Sequence, residues 1–159
     1  DGYGMLSFDL GSDGSGAAAI CIPSSGSLMP VSEETIAKKL NLIQMNGKEV
    51  FKFAVKAMGN TVKTSLKKVD MDKSAIDWLV PHQANLRIIQ SAAKRLDLPM
   101  EKVIVNIQKY GNMSAACIPV ALAEAAAAKT FKKGDVIALS GFGAGLTWGS
   151  CIMRWAKED

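Results

Sequence analysis

Apolar positions recur along this 159-residue chain with helical spacing in some stretches and in short continuous runs in others, and the changes mark out its elements. Residues 1–30 are rich in Gly and Ser. Met5-Leu6-Ser7-Phe8 and Ala17 to Ile22 read there as short strands around the turn Gly11-Ser12-Asp13-Gly14-Ser15-Gly16. Ser32-Glu33-Glu34 then opens a short helix toward Leu40. Over residues 48–69, Phe51, Val55, Met58, Val62, Leu66 and Val69 fall on one face of a helix. Lys48, Lys52, Lys56, Lys63 and Lys67 gather roughly a third of a turn away, at about 100° per residue. Ile76-Asp77-Trp78-Leu79-Val80 reads as a strand ended by Pro81. Asn85 reads as the cap of a helix whose inner face is Leu86, Ile89, Ala93 and Leu96. Val103-Ile104-Val105 is a short strand, and residues 114–128 are an alanine-rich helix that Pro119 is expected to bend. Asp135 to Ser140 and Leu146 to Trp155 are the last two strands, joined by Gly141-Phe142-Gly143-Ala144-Gly145.

This order predicts an α/β fold with helices on a mostly parallel sheet and an antiparallel ending. Ligands of such sheets bind beyond the carboxyl ends of the strands. The rule selects three segments, those after Val80, after Val105 and after Ser140.

Composition narrows the function classes. The length fits one domain or a piece of a larger protein. With 48% hydrophobic and 21% charged residues, the chain has the balance of an ordinary soluble globular protein, not of a disordered tail. No run approaches the ~18 apolar residues of a membrane span. A net charge of +4 is too weak to argue for nucleic acid. Cys21, Cys117 and Cys151 are odd in number and far apart, which speaks against a disulfide framework and for a reducing compartment. A single histidine and no paired-cysteine motif dismiss a structural zinc site. Asp9 and Asp13 lack the ligand spacing of a calcium loop, so their segment reads as a solvated turn. Nothing at the start reads as a signal or transit peptide, and a first residue of Asp1 fits a processed chain or a fragment.

Each selected segment holds something unusual. Pro81-His82-Gln83-Ala84-Asn85 carries the lone histidine; Tyr110-Gly111-Asn112-Met113-Ser114 puts an asparagine at the start of a helix; the third segment is the glycine-rich loop. Taken singly, each has an ordinary explanation. A lone histidine is often structural, an asparagine before a helix is often a cap, and the glycines fit a tight hairpin turn. A phosphate cradle is rejected, because it needs a helix after the glycines, whereas Leu146-Thr147-Trp148 continues as strand.

Together these segments resemble the β-ketoacyl-acyl-carrier-protein synthase III family, which starts fatty-acid chains in bacteria and plastids. Trp78-Leu79-Val80-Pro81-His82-Gln83-Ala84-Asn85-Leu86-Arg87-Ile88-Ile89 resembles its histidine motif. Tyr110-Gly111-Asn112-Met113-Ser114-Ala115-Ala116 resembles its asparagine motif, and Gly141 to Ser150 its C-terminal hairpin. Met113 stands where the family more often has Thr, and Cys117 where Ser is common. The resemblance implies a thiolase-like fold of two similar α/β halves. Residues 1–30 would then end the first half, and residues 31–159 would form the second, a mixed five-stranded sheet with helices on both faces.

The nucleophilic cysteine implied by the family lies in the first half, on a helix N-terminus. Cys21 and Cys151 fall in strands and Cys117 inside the alanine-rich helix, so none is expected to replace it. The reaction implied is transfer of an acyl group from acyl-coenzyme A to that cysteine, followed by decarboxylative condensation with malonyl-acyl-carrier protein. No cofactor is implied. His82 and Asn112 would stabilise the enolate, since an imidazole N–H and a carboxamide N–H both donate without moving a proton. The backbone N–H of Gly143 would serve a second oxyanion site, where glycine lets the backbone approach closely. Gly47, Ala84 and Asn85 would line the pantetheine tunnel, and Lys52, Arg87, Lys94 and Arg95 would dock an acidic carrier protein. A homodimer and a bacterial cytoplasm or plastid stroma are implied by the family alone. Two alternatives stay open: a non-condensing malonyl-thioester decarboxylase, and a non-catalytic module that binds acyl-carrier protein.

Overall fold

A computed structural model describes residues 2–158. In chain order its elements are β1 (Gly4–Ser12), β2 (Ile20–Cys21), α1 (Glu33–Ala37), β3 (Gln44–Met45), α2 (Gly47–Lys67), β4 (Trp78–Pro81), α3 (Leu86–Arg95), α4 (Ile107–Tyr110), α5 (Cys117–Ala127), β5 (Val136–Gly143) and β6 (Thr147–Arg154). The main sheet is mixed as expected but has four strands, not five, in the order β1-β6-β5-β4, with β4 and β5 parallel and β6 antiparallel to both its neighbours. The strand expected at residues 103–105 contributes one parallel bridge, Leu79 to Val103, outside β4. β2 and β3 pair with each other as a separate antiparallel ribbon.

The N-terminal segment departs from expectation. β1, read from sequence as the end of a preceding half, is an edge strand of this same sheet, paired with β6 from Gly4↔Arg154 to Ser12↔Thr147. Ser7 is buried and donates to the Ser65 carbonyl of α2 at 2.7 Å, which anchors the strand to the helix above it. Gly14–Ala19 form a 3-10 helix rather than strand, because the Asp13 carboxylate accepts from Ser15 N–H and caps that turn. The short helix after Ser32 is present, with a capping box between Ser32 and Thr35.

Strand periodicity then distributes the core to both faces of the sheet. Leu79, Ala138 and Ile152 face α2 and α3, meeting Val62, Leu66, Ile89, Ala93 and Leu96. Their sequence neighbours Val80 and Ile137 face the other way, against Ala121 and Ala125 of α5 and Phe131. Each large aliphatic side chain so buried contributes about 1.5–3 kcal/mol. Helices on both faces follow from this alternation. Among the described residues no helix is long and apolar enough to cross a membrane.

Three details of the helices differ from the periodicity reading. Leu86 is 45% exposed, because the buried face of α3 is carried by Ile88, Ile89, Ala92 and Ala93. Pro119 sits in the first turn of α5, where no intrahelical N–H bond is lost, so the helix runs on. The buried face of α2 is not wholly apolar. Thr61 and Ser65 share hydrogen bonds with Ser150 at 3.1 and 2.7 Å, and Thr61 also donates to Asp9 at 2.9 Å.

Gly59 of α2 lies directly under the side chain of Arg95 at the end of α3. A Cβ there would come within 2.9 Å of the Arg95 Cβ. Gly59→Ala gains about 1 kcal/mol of helix propensity, but wedging the helices apart costs about 1–3 kcal/mol. The expected outcome is a lower midpoint of urea unfolding; a raised midpoint would show that the crossing relaxes freely.

Candidate active site

The site is assembled where three chain segments leave the sheet. β4 ends at Pro81, which has no N–H to continue the ladder. The next residue, His82, donates its backbone N–H to the Ser140 carbonyl of β5 at 2.8 Å, which fixes the imidazole beside that strand. The ring meets Phe142 edge-on, with centroids 5.5 Å apart. Burial holds the His82 pKa below the usual histidine value of 6.5. The ring is therefore neutral at pH 7 and presents one N–H donor. Because the folded pKa is depressed, the stability that neutral His82 carries is complete above about pH 6.5 and is lost as pH falls through the folded value. A nitrogen-detected NMR titration of His82 is expected to give a midpoint below 6.5; a midpoint above it would contradict the buried, neutral ring.

Asn112 is held from three sides. The turn before it, α4, is strapped to α5 by Glu124, whose carboxylate accepts from Asn106 Nδ2, Lys109 Nζ and the Tyr110 hydroxyl. These bonds, that of Lys109 foremost, lower the Glu124 pKa to about 2, so the strap stays charged at neutral pH. Gly111 then takes φ +67°, a backbone setting that suits glycine. Ser114 takes φ +55° and aims its N–H at Asn112 Oδ1, 2.9 Å away. The Cys117 thiol donates to the same oxygen at 3.6 Å while accepting from Met113 N–H at 3.1 Å. With its oxygen engaged twice, the Asn112 carboxamide is left with its NH2 as the free end.

His82 and Asn112 line one cavity of about 1000 Å3, together with Gly143, Gly47, Ala84 and Asn85. All six residues expected to catalyse or to bind the substrate arm thus converge. The remaining wall is mainly apolar, with Phe51, Phe142 and Trp148 prominent. Phe53 supports it edge-on against Phe142 and Trp148. Such a pocket, apolar with a few fixed donors, can hold a flexible chain and stabilise an oxygen that becomes anionic.

The basic residues separate into two groups. Lys52 follows the cavity-lining Val50 and Phe51 of α2, and Arg87 lies in sequence between the cavity-lining Asn85, the cap of α3, and Ile88; both are exposed. Lys94 and Arg95 are exposed too, but Lys94 is seven residues further along α3, about 10 Å by the helical rise. The aliphatic stem of Arg95 lies over Gly59.

The cysteines also resolve. Cys21 is in β2 and Cys151 in β6, where burial raises the Cys151 thiol pKa. Cys117 was expected inside its helix; it is instead the first residue of α5, because residues 114–116 form a separate 3-10 turn. It is nevertheless fully buried and engaged with Asn112, so it does not present its thiol at the surface. Sequence reasoning missed this contact, and it missed Gln83, a polar residue with no exposed surface beside the histidine.

Residues 66–155 match the family described as 3-oxoacyl-[acyl-carrier-protein (ACP)] synthase III C terminal. Over 158 residues, 99% of the chain, it is 51% identical to the beta-ketoacyl-[acyl-carrier-protein] synthase III of Desulfitobacterium hafniense, covering 48% of that protein. The synthase III of Natranaerobius thermophilus is 55% identical over 152 residues, 96% of the chain and 46% of that protein. The chain thus spans about half the length of these relatives. Among solved structures, 3-oxoacyl-(acyl carrier protein) synthase III from Pseudomonas aeruginosa PAO1 superposes with a TM-score of 0.84 at 42% identity, covering 98% of this chain and 45% of that one. The thiolase-like architecture implied by the three motifs is the one observed.

Proposed function

Since the chain belongs to the 3-oxoacyl-[acyl-carrier-protein] synthase III family, we propose that it is the malonyl-activating part of a condensing enzyme that starts fatty-acid synthesis. The observation that carries this reading is the convergence of His82 and Asn112 on one apolar cavity, each with an N–H to give. In the proposed reaction, the complete enzyme first takes an acyl group from acyl-coenzyme A, acetyl being the starter we favour, onto a cysteine outside this chain. Malonyl-acyl-carrier protein then enters with its pantetheine arm along Gly47, Ala84 and Asn85. Its C–CO2 bond breaks, and the electron pair passes into the thioester as an enolate whose oxygen accepts from His82 and Asn112. The enolate carbon attacks the acyl-cysteine carbonyl, whose oxygen becomes anionic near the Gly143 N–H. Collapse expels the cysteine thiolate and leaves a chain longer by two carbons on the carrier. Decarboxylation supplies the carbanion and the thioesters supply activated carbonyls, so these steps call on no cofactor.

The exposed apolar side chains of Met5, Phe8 and Leu10 on β1 give the rest of the enzyme a face to cover. The assembly proposed is a homodimer, in a bacterial cytoplasm or a plastid stroma. His82→Ala in the complete enzyme is expected to slow release of carbon dioxide from malonyl-carrier by about 100–1000-fold while cysteine acylation stays measurable. Near-normal release would overturn the role given to His82.

A further inference from the structure

Gln83 has no exposed surface, yet it fills all four hydrogen-bonding positions of its carboxamide. Nε2 donates to the Pro81 carbonyl at 2.9 Å and to the Ile104 carbonyl at 3.1 Å. Oε1 accepts from Asn106 N–H at 3.0 Å and from Ile107 N–H at 3.2 Å. Two carbonyls on one side and two N–H groups on the other leave one orientation of the amide that satisfies everything. The side chain therefore behaves as an extra peptide unit. It continues the β4 pairing past the Leu79–Val103 bridge, where Pro81 lacks the N–H to do so.

The position of this rung matters more than its strength. Pro81 and Gln83 flank His82, and Asn106 and Ile107 begin the α4 turn that delivers Gly111 and Asn112. Glu124 ties the same turn to α5 through Asn106 Nδ2, but no bond from Glu124 reaches the histidine segment. Among the described residues, Gln83 is the side chain whose hydrogen bonds directly join the two segments.

We propose that Gln83 is a positioning residue: it fixes the separation of the His82 and Asn112 donors by bonding the backbone of both their loops. The inference rests on the reading of those two side chains as the enolate-stabilising pair. Loosening the bridge shifts one donor relative to the other, and a misplacement near 1 Å costs about 100-fold in rate.

The test compares Gln83→Met, which keeps length but loses all four bonds, with Gln83→Glu, which keeps the two acceptor contacts and turns an oxygen toward the two carbonyls. Each is made in the complete enzyme, where malonyl-carrier decarboxylation and cysteine acylation are measured separately. The expected result is a fall of about 100-fold in decarboxylation kcat, with KM for malonyl-carrier and the acylation rate unchanged. In an Asn112→Ala background the Gln83→Met loss should disappear, because the group it positions is gone. A proportionate fall in both half-reactions, no fall in either, or additive losses in the double variant would overturn the proposal. So would failure of both variants to fold, which would make Gln83 a determinant of folding and not of the pair. The single variant Asn112→Ala separates the two ideas. If it decarboxylates normally, the donor pair itself is wrong; if it fails while the Gln83 variants do not, only the positioning role falls.

Discussion

Asn112→Ala in the complete enzyme is expected to slow malonyl-thioester decarboxylation by about 100–1000-fold, the usual consequence of removing one oxyanion donor. Charge reaches the thioester oxygen only as the carboxylate departs. In the proposed role the Asn112 NH2 would bond the transition state more strongly than the bound substrate, so the loss is expected to fall on kcat with little change in KM. Asn112→Asp sharpens the test. An aspartate would still accept from Ser114 N–H, where Oδ1 now accepts at 2.9 Å, so the loop conformation has the same support. Its second oxygen, however, would face the developing enolate with a negative charge. The aspartate variant is expected to be at least as slow as the alanine variant. An aspartate variant faster than alanine would mean that Asn112 serves the loop and not the oxygen.

Reversing charge at the cavity rim should produce the second large effect. Lys52 and Arg87 are exposed in sequence beside residues that line the pocket, and the acidic carrier of the proposed reaction would be attracted before any contact forms. Lys52→Glu combined with Arg87→Glu is expected to lower kcat/KM for malonyl-carrier by about tenfold or more at low salt. It should also flatten the salt dependence, because screening has less attraction left to remove. Malonyl-pantetheine, which lacks the acidic protein, should react as before. Lys94→Glu, about two turns further along α3, should have the smaller effect. An unchanged salt slope would reduce these side chains to solvation of the helix surface.

The parts of the fold that were legible in the sequence are those where one period governs a whole element. Met58, Val62 and Leu66 were placed on the buried face of α2 by spacing alone, and they are buried there. Asn85 was read as a cap, and its side chain accepts from Arg87 N–H at 2.9 Å. The less legible segments depend on partners distant in sequence. The pairing partner of β1, β6, lies some 140 residues on and leaves no local signal. Ala17 to Ala19 look strand-like, but the Asp13 cap turns them into a 3-10 helix.

The candidate site residues could be nominated because they cluster at strand ends in three short motifs, and one cavity brings them together. Its support was not. Gln83 carries no periodic signal, and its role depends on backbone groups of residues 104 to 107 that only folding brings near. Cys117 reads as a core residue, which it is, but its thiol also helps to orient Asn112. An unexplained polar residue directly beside a candidate catalytic group, as Gln83 is, was the one available hint.

The position of a single thioester oxygen distinguishes a donor pair from two unrelated side chains. A crystal structure of the complete enzyme with a malonyl thioester analogue that keeps the carbonyl but resists decarboxylation would locate it. That oxygen is expected within about 2.7–3.1 Å of both a His82 ring nitrogen and Asn112 Nδ2. An oxygen bonded elsewhere, with either side chain turned away from it, would overturn the role given to the pair.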